Sequence, residues 1–469
     1  QLAYCASHYN GRMLHCVRAA HLLAIFLSSM ILLLAQAPSF EGRWLGVLNV
    51  GANKLRIALR FEPTPTSGFS VVMNSLDQSA ADIRAERVAI DGRTATMEFP
   101  QIGATIEGTL SEDGSTIKAT LRQAGASLPI TFSRGEAELP RRPQEPKKPY
   151  PYDAIEVTYE NAGVRLAATL TLPRSEGPHP AVVLLSGSGS QDRDETIMGH
   201  RPFLVLADYL TRRGIAVLRA DDRGVGGSMG NPATSTLNDL AGDALAGIAY
   251  LKSRKEIDPA RIGIIGHSQG GLVGAIAASN SPDVAFLVSM AGAGLPGDQV
   301  VLRQIETLLR SAGQPPEAIA ETLALQRRLF EILKTETDDE AAFRKMLAEL
   351  PEPARRAKEA ELRMMTSPAL RSFYTTDPAS VLAKVKVPVL AINGELDTQV
   401  AADENLSAIA AALARGGNKN VTTVKLPGLN HLFQKAKTGA VSEYGSIEET
   451  INPAALKTIG DWIAARVQR

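Results

Sequence analysis

The spacing of apolar and polar positions separates the chain into an amino-terminal region of short alternating segments and a longer region of mixed periodicity. Between residues 38 and 137, segments such as KLRIALRFEP and ATIEGTLS alternate apolar and polar side chains, with turn dipeptides between them. Alternation with a period of two is typical of strands that bury one face. The pattern predicts a small all-β domain, either a barrel or a sandwich, with Trp44 as a core aromatic.

From residue 154 to residue 469, strand-like and helical segments alternate, which predicts a mostly parallel sheet covered on both faces. Eight segments are strand candidates, and the first two, AIEVTYE and VRLAATLTLP, look antiparallel. Residues 295–385 interrupt this order with helical sequence that contains no strand pattern. We expect this insertion to form a helical cap over a binding site, the alternative being an additional solvated layer of helices.

A segment rich in proline and charge, residues 138–153, joins the two regions. Its composition predicts a stiff extended linker and a domain boundary. Four basic residues in it could contact an anionic partner, but a solvated linker is the preferred interpretation. These residues are Arg141, Arg142, Lys147 and Lys148.

The first 37 residues have the composition of a secretory signal. The apolar run Leu22–Ala35 follows Arg12 and Arg18, and it ends in the A-x-A pattern of residues 35–37. The run is shorter than the ~20 residues that a membrane span needs. We therefore expect cleavage and export to the periplasm or the extracellular space, with no stable membrane span afterwards; an uncleaved anchor is the alternative.

Charge and cysteine content exclude several classes of function. Lys and Arg total 50 and Asp and Glu total 50, so the net charge is zero and nothing indicates a nucleic-acid partner. The only two cysteines, Cys5 and Cys16, fall in the predicted leader. A mature chain without cysteine has no thiol nucleophile, disulfide or cysteine zinc site. We expect the protein to need neither a metal nor an organic cofactor.

A Gly-x-Ser-x-Gly pattern occurs at Ser268, in GHSQG. The apolar run Ile262–Ile265 before it predicts a buried parallel strand, and the small apolar residues Gly271–Ala278 after it predict a helix. A nucleophile elbow requires this strand–turn–helix context. Ser228 in GGSMG matches the pattern less well, because loop-forming residues surround it, and we interpret it as part of a turn.

His431 is the only histidine after Ser268, and it lies just past the last predicted strand. Because a serine hydroxyl is a weak nucleophile, His431 is the candidate general base. The loop GELDTQV supplies Asp397 as its acid partner, with Glu395 as a competitor that we expect to point away. Asp397 could instead cap the following helix. The order Ser268, Asp397, His431, each just beyond a strand, predicts a catalytic triad.

An oxyanion formed at the Ser268 site needs hydrogen-bond donors. The amide of Gln269, at the start of a helix, is one predicted donor. The second is expected from the loop after the third strand of this region, SGSGSQDRDE, where small residues let amides approach a substrate. Ser188 is the preferred second donor, with Gly187 as the next choice.

These motifs, together with GLNHLF and LADYLTRRGIAVLRADDRGVGGS, resemble the α/β-hydrolase superfamily and, within it, the serine carboxylesterases. The resemblance covers about residues 154–469. Within the carboxylesterases, the sequence is similar to secreted bacterial esterases that carry a β-rich domain ahead of the hydrolase domain. It implies the α/β-hydrolase fold and the triad Ser268, Asp397 and His431. It also implies that residues 222–224, Asp-Arg-Gly, form a structural turn near the site.

The sequence therefore predicts a serine carboxylesterase that works through an acyl-enzyme on a small-molecule or polymeric ester. A peptidase, thioesterase or acyltransferase of the same fold is one alternative. A binding protein with an inert hydrolase domain is another, although a complete predicted triad argues against it. Acyl and alcohol specificity, the role of the β domain and the oligomeric state are left open by the sequence.

Overall fold

The computed structural model describes residues 38–50, 53–65, 68–76, 79–123, 126–135 and 141–467. The predicted leader, with Cys5 and Cys16, lies outside the described residues. The described residues divide into two compact units. The first holds those up to 48, within 58–73 and within 83–135, and the second holds those within 49–57, within 74–82 and from 141 onward. No helix of the described part is long and apolar enough to cross a membrane.

The first unit is built from strands whose side chains alternate between buried and more exposed positions, as in β6 and β7. The nine strands described before residue 137 form one sheet in the order β4-β3-β2-β1-β9-β8-β7-β6-β5. Trp44 is fully buried, as expected for a core aromatic, and its indole N–H donates to the Phe40 carbonyl at 2.7 Å. The strands are β1 Gly42–Val50, β2 Asn53–Thr64, β3 Gly68–Ser75, β4 Ser79–Arg84, β5 Arg87–Asp91, β6 Thr94–Phe99, β7 Ala104–Leu110, β8 Thr116–Gln123 and β9 Ala126–Arg134.

The second unit contains a sheet of eight strands in the order β10-β11-β13-β12-β14-β15-β16-β17. β11 is antiparallel to both of its neighbours, and the pairs from β13 through β17 are parallel. Strands such as β16 are buried along their whole length, as their apolar sequence requires. The strands are β10 Asp153–Asn161, β11 Val164–Leu172, β12 His179–Leu185, β13 Ala216–Ala220, β14 Ile257–His267, β15 Leu287–Met290, β16 Val389–Gly394 and β17 Val421–Leu426.

Helices cover both faces of this sheet, so two apolar cores form. One core packs against α2, α3 and α10, and the other packs against α1 and α11. The helices are α1 Pro202–Thr211, α2 Leu237–Lys252, α3 Gln269–Asn280, α4 Gly297–Ser311, α5 Pro316–Thr335, α6 Asp339–Glu349, α7 Glu352–Met365, α8 Pro368–Thr375, α9 Pro378–Leu382, α10 Ala402–Arg415 and α11 Pro453–Val467.

The insertion between β15 and β16 consists of helices α4–α9, and residues 295–385 contain no strand. Its helices bury an apolar cluster of their own, which explains why helices with so many charged residues pack together. Where the insertion begins, the Asn405 side chain accepts hydrogen bonds from the amides of Gly294 and Leu295, at 2.9 and 3.2 Å. The cluster consists of Leu329, Phe330, Leu333, Phe343, Met346, Leu350, Leu362 and Met365.

The linker corrects one expectation, since Arg142 is half-buried instead of solvated. Its guanidinium donates to four backbone carbonyls of the second unit, at 2.6–3.1 Å. Gln144 is also held there, because its side chain donates to the Ile451 carbonyl and accepts from the Thr450 amide, both at 2.6 Å. The four carbonyls belong to Met198, Gly199, Gly445 and Ile447.

Candidate active site

Ser268 stands in a sharp turn between β14 and α3. Its backbone has φ 52° and ψ −119°, and its amide donates to the Met290 carbonyl at 2.8 Å. A positive φ at a residue with a side chain is strained and is held in place by its surroundings. Glycine is required on both sides: a Cβ on Gly266 would lie 2.0 Å from the Gly270 carbonyl oxygen, and one on Gly270 would lie 2.3 Å from that of Leu185. This is the geometry of a nucleophile elbow.

Ser228, the serine of the second Gly-x-Ser-x-Gly pattern, is buried in a turn. Its hydroxyl donates to the Asp221 carbonyl at 2.8 Å and accepts from the Ala167 amide at 2.9 Å. Both hydrogen-bonding roles of the hydroxyl are therefore used within the fold, which agrees with the interpretation of Ser228 as a turn residue.

Asp397 and His431 lie on the loops that follow β16 and β17, and a hydrogen bond of 2.7 Å joins Asp397 Oδ2 to His431 Nδ1. The other oxygen of Asp397 accepts from the amides of Gln399 and Val400, both at 2.8 Å. Its side chain is fully buried and that of His431 is nearly so. This carboxylate is thus rigidly aimed at the imidazole.

Glu395, the competing acid, lies elsewhere. It is exposed, and its carboxylate accepts from the Gly428 amide at 2.9 Å. The structure therefore pairs His431 with Asp397 and leaves Glu395 at the surface.

Ser268 and His431 are connected through His267. The His267 Nε2–H donates to the His431 carbonyl at 3.1 Å, and the centroids of the two rings are 4.9 Å apart. Within the described residues, no hydrogen bond joins the Ser268 hydroxyl to the His431 imidazole. Such contacts are often long before substrate binds and shorten in the reacting complex.

The loop after β12 lies against the nucleophile. A Cβ placed on Gly187 would be 3.4 Å from the Ser268 Cβ. The Gly187 amide, however, donates to Glu195 Oε1 at 2.7 Å. This contact argues against Gly187 as the alternative oxyanion donor, since its N–H already has a carboxylate acceptor. Ser188, which is exposed, and Gln269, at the start of α3, remain the predicted donors.

Sequence reasoning missed a second buried carboxylate–imidazole pair. Glu195 is 1% exposed, and its Oε1 lies 2.8 Å from His267 Nδ1. Burial has the largest single effect on the pKa of His267 and lowers it, but the Glu195 carboxylate, the His431 carbonyl and Asp397 together raise it more, so the net direction is upward. Both residues lie in motifs that the sequence brings to attention, but 72 positions separate them, and no local signal pairs them.

Asp222, in the turn expected near the site, anchors the same loop. Its carboxylate accepts from the Ser186 hydroxyl and the Gln191 amide, each at 2.9 Å. Burial raises the pKa of Asp222 to about 7 despite these two donors. Arg223 beside it pairs with Asp243 through two hydrogen bonds of 2.7 Å, as a structural turn requires.

A family model decides where this chain belongs. The model of the X-Pro dipeptidyl-peptidase (S15) family matches residues 162–425, which is more than half of the chain and includes Ser268 and Asp397. The chain belongs to the S15 family. This membership confirms the prediction of a serine hydrolase of the α/β-hydrolase superfamily.

Individual relatives of this S15 member include esterases. Esterase EstD of Thermotoga maritima is 29% identical over 278 residues, which is 57% of this chain and 58% of the relative. The putative hydrolase YtaP of Bacillus subtilis is 33% identical over 116 residues, 21% of this chain and 39% of the relative. The chain therefore spans less than two thirds of the length of these curated relatives.

Solved structures similar to this S15 member are more distant. The esterase PF2001 of Pyrococcus furiosus has a TM-score of 0.43 and 18% identity, and the match covers 71% of this chain and 99% of that one. Est1E of Butyrivibrio proteoclasticus, solved with ferulic acid, has a TM-score of 0.41 and 18% identity, covering 67% of this chain and all of that one.

Proposed function

We propose that the protein is a serine carboxylesterase that hydrolyses carboxylic esters through an acyl-enzyme. The observation that carries this proposal is the strained serine at the elbow, Ser268, on the same sheet edge as the buried Asp397–His431 pair. An ester substrate is favoured by the esterase names among the relatives, and Esterase EstD aligns over 57% of this chain.

In the proposed mechanism, His431 Nε2 takes the hydroxyl proton of Ser268 as the Oγ attacks the ester carbonyl carbon. The carbonyl oxygen gains the negative charge and accepts hydrogen bonds from the amides of Gln269 and Ser188. When the tetrahedral intermediate collapses, His431 gives its proton to the leaving alcohol. Water then repeats the sequence and releases the acid. Asp397 keeps the His431 tautomer and stabilises the imidazolium.

A dipeptidyl-peptidase acting on X-Pro amides is the second candidate, and the S15 family match over residues 162–425 is the observation that favours it. The same serine, base and acid would cleave an amide, so the three side chains do not discriminate between the two substrates. The bond cleaved is then decided by the pocket around the reacting carbonyl. A thioesterase or acyltransferase activity has no separate observation in its favour.

The test compares substrate classes on the purified full chain. p-Nitrophenyl esters of two to twelve carbons, an Ala-Pro p-nitroanilide and an acyl thioester are assayed side by side with the Ser268→Ala variant. We expect ester turnover that the variant lacks. Faster cleavage of the Ala-Pro anilide would replace the esterase with the peptidase, and ester hydrolysis that survives Ser268→Ala would contradict the nucleophile.

The remaining architecture is part of the proposal. We infer a leader over residues 1–37, a β-rich domain over 38–137, a linker over 138–153 and a hydrolase domain over 154–469, with residues 295–385 as its cap. Export follows from the leader and implies a periplasmic or extracellular protein. Mass spectrometry of the chain recovered from a bacterial host tests it: export predicts an amino terminus at Pro38, and an uncleaved chain contradicts it.

A further inference from the structure

The second carboxylate–imidazole pair lies beside the site without being part of the predicted triad. Glu195 and His267 are both buried, with side chains 1% and 5% exposed. Burying two ionisable groups is unfavourable unless they pair and their other polar atoms are satisfied. The other contacts of this buried pair therefore indicate what it does next to the nucleophile.

The turn that carries Glu195 is built to present it inward. Glu195 has φ 52°, in the left-handed region that residues with side chains seldom adopt. Asp192 stabilises this turn, because its carboxylate accepts from the amides of Asp194 and Thr196, each at 3.0 Å, and from the Thr196 hydroxyl at 2.7 Å. Several hydrogen bonds thus stabilise a turn with a strained backbone, and this turn directs the Glu195 carboxylate toward the site.

Each member of the pair has a further contact to a predicted functional segment. Glu195 Oε1 accepts from the Gly187 amide, which directly precedes Ser188, the predicted oxyanion donor. His267 directly precedes Ser268, and its Nε2–H donates to the carbonyl of His431. One continuous chain of hydrogen bonds, from 2.7 to 3.1 Å, therefore joins the oxyanion loop, the elbow and the loop of the general base.

The hydrogen on His267 Nε2 follows from its acceptor. The His431 carbonyl can only accept, so His267 Nε2 carries a hydrogen. Glu195 Oε1 already accepts from the Gly187 amide, and a carboxylate there also accepts from His267 Nδ1–H. An imidazolium next to a carboxylate gives charge-assisted hydrogen bonds, which are shorter and stronger than neutral ones.

We propose that Glu195 and His267 are positioning residues, which hold the oxyanion loop and the His431 loop in register with Ser268. This inference rests on the proposed function, since it concerns the same nucleophile and base. Neither side chain touches the reacting atoms; they act through the main chain of Gly187 and His431. Catalytic groups are sensitive to displacements of about 1 Å, so loss of the pair is felt in the rate of the chemical step.

The experiment measures kcat and KM of the full chain on p-nitrophenyl butyrate for Glu195→Ala and Glu195→Gln. We expect Glu195→Ala to lower kcat about 10²-fold, the scale of losing one oxyanion donor, with KM within about threefold. Glu195→Gln keeps an acceptor for the Gly187 amide but loses the charge, so it recovers roughly tenfold of that loss. Because the pair acts as one unit, adding His267→Ala to Glu195→Ala costs little more.

A matched control separates positioning from folding. Asp258 is also a buried carboxylate on β14, paired with Arg261 at 2.7 Å. It lies ten residues before Ser268, near the other end of the strand, roughly 20 Å away by the length of the paired strand β12. Asp258→Asn should lower the melting temperature while leaving kcat within about threefold. The inference is overturned if Glu195→Ala keeps a kcat near that of the wild type, or if Asp258→Asn loses as much kcat as Glu195→Ala.

A second readout keeps this test apart from that of the esterase proposal. A fluorophosphonate probe labels an activated serine whatever its natural substrate, and Ser268→Ala shows whether the label is on that residue. If the wild type labels but hydrolyses no ester, the esterase proposal fails while the labelling rate still tests the pair. We expect Glu195→Ala to slow labelling in proportion to kcat; equal labelling rates contradict the inference.

Discussion

At the scale of single residues, the site contains two carboxylate–imidazole pairs with almost equal oxygen–nitrogen distances but different hydrogen-bond partners. One oxygen of Asp397 accepts hydrogen bonds from two amides of its own loop, and the other oxygen binds the imidazole of His431. Glu195 uses one oxygen for both an amide and the His267 ring, and so joins two loops. In the proposed roles, the first pair sets the tautomer of the base, whereas the second sets the position of main-chain segments.

The first residue-scale prediction compares the two acids of the loop after β16. Asp397→Asn cannot stabilise the His431 imidazolium and favours the wrong tautomer, so we expect kcat to fall about 10³–10⁴-fold with little change in KM. Glu395→Gln alters an exposed side chain that accepts from the Gly428 amide, so its kcat should stay within about twofold. Steady-state kinetics on one ester measures both. A larger loss in Glu395→Gln than in Asp397→Asn would contradict the predicted acid.

A second residue-scale prediction concerns Asp222, whose pKa burial raises to about 7 from 3.8. Between these two pH values the unfolded chain has lost this proton while the folded chain keeps it, so stability falls as pH rises through this window. Asp222→Asn imitates the protonated acid and lacks this dependence. From pH 4 to pH 8, we expect the free energy of unfolding of the variant to increase by roughly 1–4 kcal/mol relative to that of the wild type. The larger value corresponds to the full pKa shift of Asp222. Urea unfolding at both pH values checks this; a difference independent of pH contradicts it.

At the scale of elements, the strand–turn–helix unit around Ser268 was predictable because its signals are local. Continuous apolar residues predict β14, small residues predict α3, and glycines at 266 and 270 fit the close contact of the two elements. The buried turn that carries Glu195 was not predictable in this way. Its φ of 52° occurs at a glutamate, and its partner is 72 residues away, so neither periodicity nor turn chemistry indicates it.

The loops that contribute single side chains show the same division between local and distant signals. Position after a strand, which sequence reveals, predicts an acid in the loop of Glu395 and Asp397, and Asp397 is preferred because Glu395 is expected to point away. The use of the Gly187 amide by Glu195, and the burial of Arg142 against distant carbonyls, depend on tertiary contacts between segments far apart in sequence. The polar composition of the linker predicts exposure to solvent, but polar side chains also bind backbone carbonyls that lack a partner in a helix or sheet.

The prediction at the element scale compares two glycines of α3. A Cβ on Gly270 would lie 2.3 Å from the Leu185 carbonyl oxygen, which is backbone and cannot move aside cheaply. A Cβ on Gly274 would meet side-chain methyl groups, Leu287 Cδ1 at 2.8 Å and Ile264 Cγ2 at 3.0 Å, while alanine also improves helix propensity by about 1 kcal/mol. We expect Gly270→Ala to abolish activity and Gly274→Ala to keep most of it. Kinetics with a melting curve for each variant tests this; a fully active Gly270→Ala would show that the elbow is not so tightly packed.

At the scale of the whole molecule, the segment that leads into the hydrolase unit also supports its active site. The carbonyls that Arg142 binds belong to two loops, and these loops carry Met198 and Tyr444, which pack with Leu432 beside the proposed general base. The Tyr444 hydroxyl accepts from the Gln399 side chain at 3.0 Å, and the Gln399 backbone amide in turn donates to the proposed acid. A residue outside the sheet and its helices is thereby linked to the base and its acid.

The last prediction follows from this link and compares neighbouring arginines. Arg142→Ala leaves several carbonyls without their donor, which we expect to cost about 2–4 kcal/mol of stability and to lower kcat as the loops next to His431 loosen. Arg142→Lys keeps the charge but cannot reproduce the planar fork, so it should recover only part of the loss. Arg141 is exposed, and Arg141→Ala should change stability by no more than about 0.5 kcal/mol. Denaturant unfolding and ester kinetics on the three variants measure both effects. If Arg142→Ala and Arg141→Ala behave alike, the segment is only a linker, and the support of the base must come from the loops themselves.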